Sequence, residues 1–185
     1  RIARMPVVAQ AQSAGEQSTI AAHALSTLTV SCKADGAALV LLATDEACAR
    51  YGLAPRARWL ASASIGAAPE TPLLAAIAAT RKVLARGGYA AQSLSKSELT
   101  AQDLSALELA SLELHDAFAV QGLAFCDAFA LAPEQINTEG GGLARGHPIG
   151  ASGAIALVRC LAQLERRAQP QTLGLATIAG AGGIG

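Results

Sequence analysis

The chain has 185 residues and a mass of 18.6 kDa, enough for one domain with a sizeable core. Its 14 basic and 14 acidic residues cancel, which leaves neither the basic excess of a nucleic-acid binder nor an acidic tail. With 52% hydrophobic and 15% charged residues, the chain either buries much of its surface or rests against a partner.

Residues 1–30 read as an N-terminal strand and loop segment. RIARMPVVAQ holds a short strand, QSAGEQS is a polar loop, and His23 is structural or exposed. The apolar run Ala37 to Ala43 has the pattern of a strand buried on both faces. Thr44 and Asp45 open a short helix that Gly52 closes. Arg56 to Ser64 is a second strand candidate. Pro72 begins a longer helix with Leu73, Ile77, Thr80 and Leu84 near one face, and Gly87 and Gly88 stop it. After the strand-like LEL, the stretch HDAFAVQGLAFCDAFAL predicts a helix with Phe118, Phe125 and Phe129 in the core. The loop APEQINTEGGG follows. Ser152 is then placed to cap a helix whose apolar face is Ile155, Val158, Leu161 and Ala162, with Arg166 and Arg167 at its end. TLGLATI reads as a strand and AGAGGIG as a tight turn. Strands and helices alternate, so the class is α/β.

Cys32, Cys48, Cys126 and Cys160 show no CxxC spacing and no nearby histidine pair. That argues against a disulfide framework, against zinc or another metal, and for a reduced, cytoplasmic setting. No apolar run approaches the ~20 residues of a membrane span, and no signal-peptide pattern opens the chain. The chain begins at Arg1 and stops at Gly185 within a glycine run, so it is read as a piece of a longer protein.

The unusual stretch is GLARGHPIGASGA, Gly142 to Ala154. Pro148 biases His147 toward extended backbone, and Gly150 and Gly153 permit close approach of a ligand or another backbone. The following helix N-terminus offers free N–H groups and partial positive charge. Such a setting suits a developing oxyanion and a histidine acting as general base. The plain alternative is a packed turn whose histidine satisfies a carbonyl. His115, in HDAF, lies thirty-two positions earlier, about one strand–helix excursion, so two loop tips at one sheet edge can bring the rings together. A dinucleotide reading of AGAGGIG carries little weight, because no helix follows it to receive a pyrophosphate.

INTEGGGLARGHPIGASGA resembles the thiolase signature, in which an asparagine and two glycines lead to Gly-His-Pro and then Gly-Ala-Ser-Gly. HDAFAVQ, GLATIAGAGGIG and VSCKADGAALVLL resemble three further thiolase boxes, in family order. The resemblance implies a thiolase-like layered fold, with a mixed five-stranded sheet and helices on both faces. It implies that residues 31–185 are the C-terminal half of an acyl-CoA acyltransferase whose N-terminal half, with the nucleophilic cysteine, is absent. His147 then matches the residue that activates that cysteine, and His115 a residue of the oxyanion hole. Ser31 matches a serine near the pantetheine arm of coenzyme A. Gly180, Gly182 and Gly183 match the closing loop, whose second catalytic cysteine falls on Ala179.

The resemblance further implies coenzyme A thioesters as substrates, no permanently bound cofactor, and a homo- or hetero-oligomer that includes the N-terminal half. His115 and the run PETPLLAAIAATRKVL look closest to the fatty-acid-oxidation branch, including trifunctional β subunits. The reaction is 3-ketoacyl-CoA thiolysis or acetyl-CoA condensation. The alternative, favoured by Ala179, is a non-catalytic thiolase-like partner or scaffold. The isolated chain is expected to be inactive.

Overall fold

The computed structural model describes residues 7–10, 24–88, 104, 107, 109–167, 169 and 172–185. His23 and the QSAGEQS loop lie outside them. The strands are β1 (Val7–Gln10), β2 (Ala24–Ser26), β3 (Leu109–Leu114) and β4 (Leu173–Thr177). The α-helices are α1 (Asp45–Tyr51), α2 (Ala75–Arg86), α3 (Ala119–Phe129), α4 (Gly142–Arg145) and α5 (Ser152–Arg167). β1 pairs antiparallel with β2, and β3 pairs parallel with β4, Leu112 facing Leu175 and Leu114 facing Thr177.

The helix boundaries follow local chemistry. Thr44 accepts the Ala47 N–H at the start of α1, and Gly52 ends that helix in the left-handed region at φ 64°. Pro72 opens a 3-10 turn that runs into α2, which buries Ile77, Thr80 and Leu84 as its spacing predicts.

The β3–β4 pair is the middle layer. Leu112 and Leu114 point to one face, where they join Ala76, Ile77 and Leu84 of α2 and Phe125 and Phe129 of α3. Ser111 and Glu113 point to the other face, where α5 lies against both strands. Helices therefore cover both faces.

Several expectations need correction. The five-stranded sheet is replaced, among the described residues, by two two-stranded sheets. Ala37 to Ala43 and Arg56 to Ser64 are not strands: neither run joins a ladder, and Leu39 is 90% exposed, with Trp59 and Leu60 also exposed. A run of apolar side chains indicates burial on both faces only where neighbouring strands provide those faces. Phe118 is not in the core. It is the extended N-cap of α3, bridged to Val30 and half-buried.

Ser152 is not a cap but the first residue of α5, its hydroxyl turned back to the Pro148 carbonyl. The face that α5 buries is Ser152, Ala156, Cys160 and Gln163, rather than Ile155, Val158, Leu161 and Ala162. Glu113 contributes to this, because a buried carboxylate must be hydrogen-bonded and Gln163 on this face donates to it.

The Phe125 side chain is fully buried between α2 and β3. Phe125→Ala is expected to lower the unfolding free energy by about 3–5 kcal/mol, read as a lower denaturant midpoint at unchanged slope. Val120→Ala on the exposed side of the same helix is expected to cost about 0.5 kcal/mol or less.

Candidate functional site

His115 follows the last residue of β3, and His147 lies between α4 and α5. Their ring centroids are 4.2 Å apart, with the planes tilted by 38°. The two imidazoles singled out from the sequence thus meet at one place. His115 lines a cleft with Leu114, Gly142, Arg145, Gly146, Pro148, Ser152 and Ile155, about 190 Å³ in volume, and the His147 ring lies against that of His115.

The segment 137–147 is drawn over the end of β3 by three ties. Asn137, at φ 49°, donates its backbone N–H to Leu112 O (2.9 Å), and its side-chain oxygen accepts the Leu114 N–H (2.9 Å). Asp116 accepts the Gly142 N–H. Ser31 donates its hydroxyl to the Gly142 carbonyl at 2.6 Å. The approach is so close that a Cβ on Gly142 would lie 2.8 Å from Cε1 of His115. Gly146, at φ 88°, turns the chain sharply, and His147 then donates its backbone N–H to Cys32 O (2.7 Å).

Ser152 is the hydrogen-bond partner of the His147 ring. The Ser152 hydroxyl donates to Pro148 O (3.0 Å) and sits 2.7 Å from Nδ1 of His147. When the hydroxyl proton is directed at Pro148, Ser152 Oγ accepts from Nδ1–H and the lone pair of His147 is left on Nε2. Sequence reasoning assigned Ser152 only a capping role. Ser152 is also the serine of the Gly-Ala-Ser-Gly part of the signature, but nothing in that pattern pointed to its contact with the His147 ring.

His115 is in a different state. Burial, then the neighbouring His147, then Arg145 push its pKa down to about 4. It is neutral near pH 7, and its Nε2 is buried without a hydrogen-bond partner among the described residues. A buried ring nitrogen left open beside a cleft is suited to a ligand oxygen or water. Burial pushes the Asp116 carboxyl upward, against the backbone N–H groups and the Arg145 charge that favour ionisation.

The closing loop is folded back on itself. Gly180 donates its N–H to Ile184 O (2.7 Å), and Gly182 and Gly183 have φ of 84° and 81°. Ala67 donates its backbone N–H to Gly183 O. Ala179 packs against the central apolar cluster. Among the described residues there is no cluster of three or more metal-ligating side chains and no helix long and apolar enough to cross a membrane.

Comparison with known proteins places this layered α/β domain, with its two adjoining imidazoles, in a class. The family "Thiolase, C-terminal domain" matches residues 53–185. The chain is 38% identical over 146 residues to a beta-ketoadipyl-CoA thiolase of Pseudomonas putida, covering 78% of this chain and 32% of that protein. It is 36% identical over 151 residues to an acetyl-CoA acetyltransferase of Chromobacterium violaceum, covering 82% and 34%. The crystal structure of the Bacillus anthracis acetyl-CoA acetyltransferase superposes with a TM-score of 0.72 at 29% identity, covering 88% of this chain and 37% of that one. The chain belongs to the thiolase C-terminal domain family. It spans about a third of the length of the curated relatives it matches.

The depressed His115 pKa sets a pH dependence. Between pH 6.5 and about 4 the unfolded chain binds a proton at His115 that the folded chain refuses. This contribution to stability is complete above pH 6.5 and is lost as the pH falls through that window. Its size is up to roughly 3 kcal/mol. Denaturant titrations at pH 7, 6, 5 and 4 on the wild type and His115→Asn are expected to show the steeper loss in the wild type; parallel curves would contradict it.

Proposed function

We propose that the protein carrying this chain transfers acyl groups between coenzyme A thioesters, by thiolysis of a 3-ketoacyl-CoA or condensation of two acetyl-CoA molecules. The observation that carries the reading is the 4.2 Å convergence of His115 and His147 with an unpartnered buried nitrogen on the first. A cysteine of the N-terminal thiolase half passes its thiol proton to Nε2 of His147, and the resulting thiolate attacks either the thioester carbonyl of acetyl-CoA, which expels coenzyme A thiolate, or the 3-keto carbonyl of a 3-ketoacyl-CoA, which breaks the C2–C3 bond and expels the acetyl-CoA carbanion to take up a proton. His115, held neutral, donates to the oxygen that gains charge, directly or through water, and His147 shares in holding it. Collapse of the adduct leaves the acyl group on the cysteine, and a second nucleophile removes it. Ser31 lies near the pantetheine arm, and the loop of Gly180, Gly182 and Gly183 borders the reacting thioester.

The names of the relatives support the substrate class, since beta-ketoadipyl-CoA is itself a 3-ketoacyl thioester. His115 and the segment from Pro69 to Leu84 favour the fatty-acid-oxidation branch. The exposed Leu39, Trp59 and Leu60 support burial against the N-terminal half or another copy within an oligomer; the reading further places the protein in the cytoplasm and leaves the isolated chain, without the nucleophilic cysteine, inactive. Ala179, in the position of the family's second catalytic cysteine, supports a second reading: a non-catalytic partner that keeps the fold.

Incubating the intact protein with radiolabelled acetyl-CoA decides between them. A covalently labelled protein is expected, with labelling slowed about 10²–10⁴-fold by His147→Ala and about tenfold by Ser152→Ala, which frees the wrong tautomer. Ala179→Cys is expected to raise condensation or thiolysis at least tenfold while leaving labelling unchanged. No label, with coenzyme A still bound, leaves only the non-catalytic partner.

A further inference from the structure

The most buried charge in the described chain is not at the cleft. Glu113, on β3 two residues before His115, is 1% exposed at the penultimate position of the LASLEL strand. Its Oε1 accepts Gln163 Nε2 at 2.6 Å and its Oε2 accepts Arg159 Nε at 3.0 Å. Arg145 brings a second guanidinium to 3.8 Å of Oε2. Neither arginine stops at the carboxylate. Arg159 Nη2 donates to the carbonyls of Glu139 (3.0 Å) and Gly140 (3.3 Å), and Arg145 Nη1 donates to Gly140 O as well. Arg166 pairs with the Glu139 side chain. The whole arrangement ends on the backbone of residues 139–140, two residues before Gly142, which lies against the His115 ring, and next to Gly141, which lies against Asp116 and Asn137.

We infer that Glu113 is a positioning residue for the two-histidine cleft: its carboxylate fixes Arg159 and Arg145, and these clamp the 139–142 backbone over His115. Desolvating one carboxylate and two guanidinium groups is costly for stability. A simple apolar side chain would fill the same place in β3 without that cost. What the ions add is direction, because the planar fork of Arg159 reaches a carboxylate with one nitrogen and two carbonyls with another. Such directed contacts hold a glycine-rich segment, whose own side chains cannot anchor it, close enough to a ring that no Cβ fits between. The network also balances charge near the cleft, where Arg145 stands beside an imidazole that must stay neutral. Its value to the reaction rests on the acyl-transfer reading, but the clamp itself does not.

The test measures hydrogen exchange by mass spectrometry on the intact protein, comparing the peptide 138–146 with the α3 peptide 119–129. Glu113→Gln keeps the shape and removes the charge. Arg159→Lys keeps the charge and removes the fork. Both are expected to speed exchange of 138–146 at least tenfold while 119–129 changes less than twofold. Diethyl pyrocarbonate modification of His115 is expected to accelerate at least tenfold in the same variants.

Glu113→Gln with Arg159→Met is expected to regain the melting temperature lost by Glu113→Gln alone, yet to leave 138–146 fast, which a merely structural network would not do. The inference is overturned if 138–146 stays within twofold of wild type in both single variants, or if both peptides accelerate together. Acetyl labelling is scored separately. An unlabelled wild type whose 138–146 peptide responds as expected sinks the acyl-transfer reading alone, and a labelled wild type with an unresponsive peptide sinks the clamp alone.

Discussion

The site depends on the return of segment 137–147 to the end of β3. Asn137 imitates a neighbouring strand there, giving its N–H to Leu112 and its amide oxygen to Leu114. It does so from a left-handed backbone conformation, which asparagine adopts more readily than most residues. Once that tie is made, Asp116 and Ser31 can reach Gly142, and the short distance from Gly142 to His147 sets the second ring over the first. Without it, the two imidazoles would belong to unrelated loops.

The two rings are kept unlike. His115 is buried and neutral, while His147 has its Nδ1 within 2.7 Å of the Ser152 hydroxyl. Rings this close disfavour a shared charge, since each imidazolium would raise the cost of the other. The pair therefore divides into one group suited to donating a hydrogen bond and one suited to taking a proton. This division comes from burial and from one serine hydroxyl, not from any difference in the side chains themselves.

The same strand separates two kinds of packing. One face of β3 carries Leu112 and Leu114 into an apolar cluster, where volume and shape decide the fit. The other carries Ser111 and Glu113 toward α5, where hydrogen bonds decide it. Period-two alternation thus joins an apolar layer that stabilises the domain to a polar layer that orients the cleft. The cost of the second layer is visible in α5, whose more apolar side is left half-exposed, with Val158 at the surface.

Much of this was legible in the residues alone. The alternation of strands and helices, the ends of α1 and α2, the burial of Phe125 and Phe129 and the choice of His115 and His147 as a pair that meets all rest on signals in the sequence: caps, glycines, periodicity and an uncommon Gly-His-Pro turn. Tertiary structure decided what local signals do not encode. Ala37 to Ala43 and Arg56 to Ser64 have strand patterns but no ladder, because a strand exists only through its neighbours. The buried face of α5 follows a carboxylate some fifty residues away, the serine read as a cap directs an imidazole, and Phe118 leaves the core because its backbone is extended. Sequence determines which side chains are available and what the backbone does within a turn. Which of them meet, and in what protonation state, depends on burial and on partners distant along the chain.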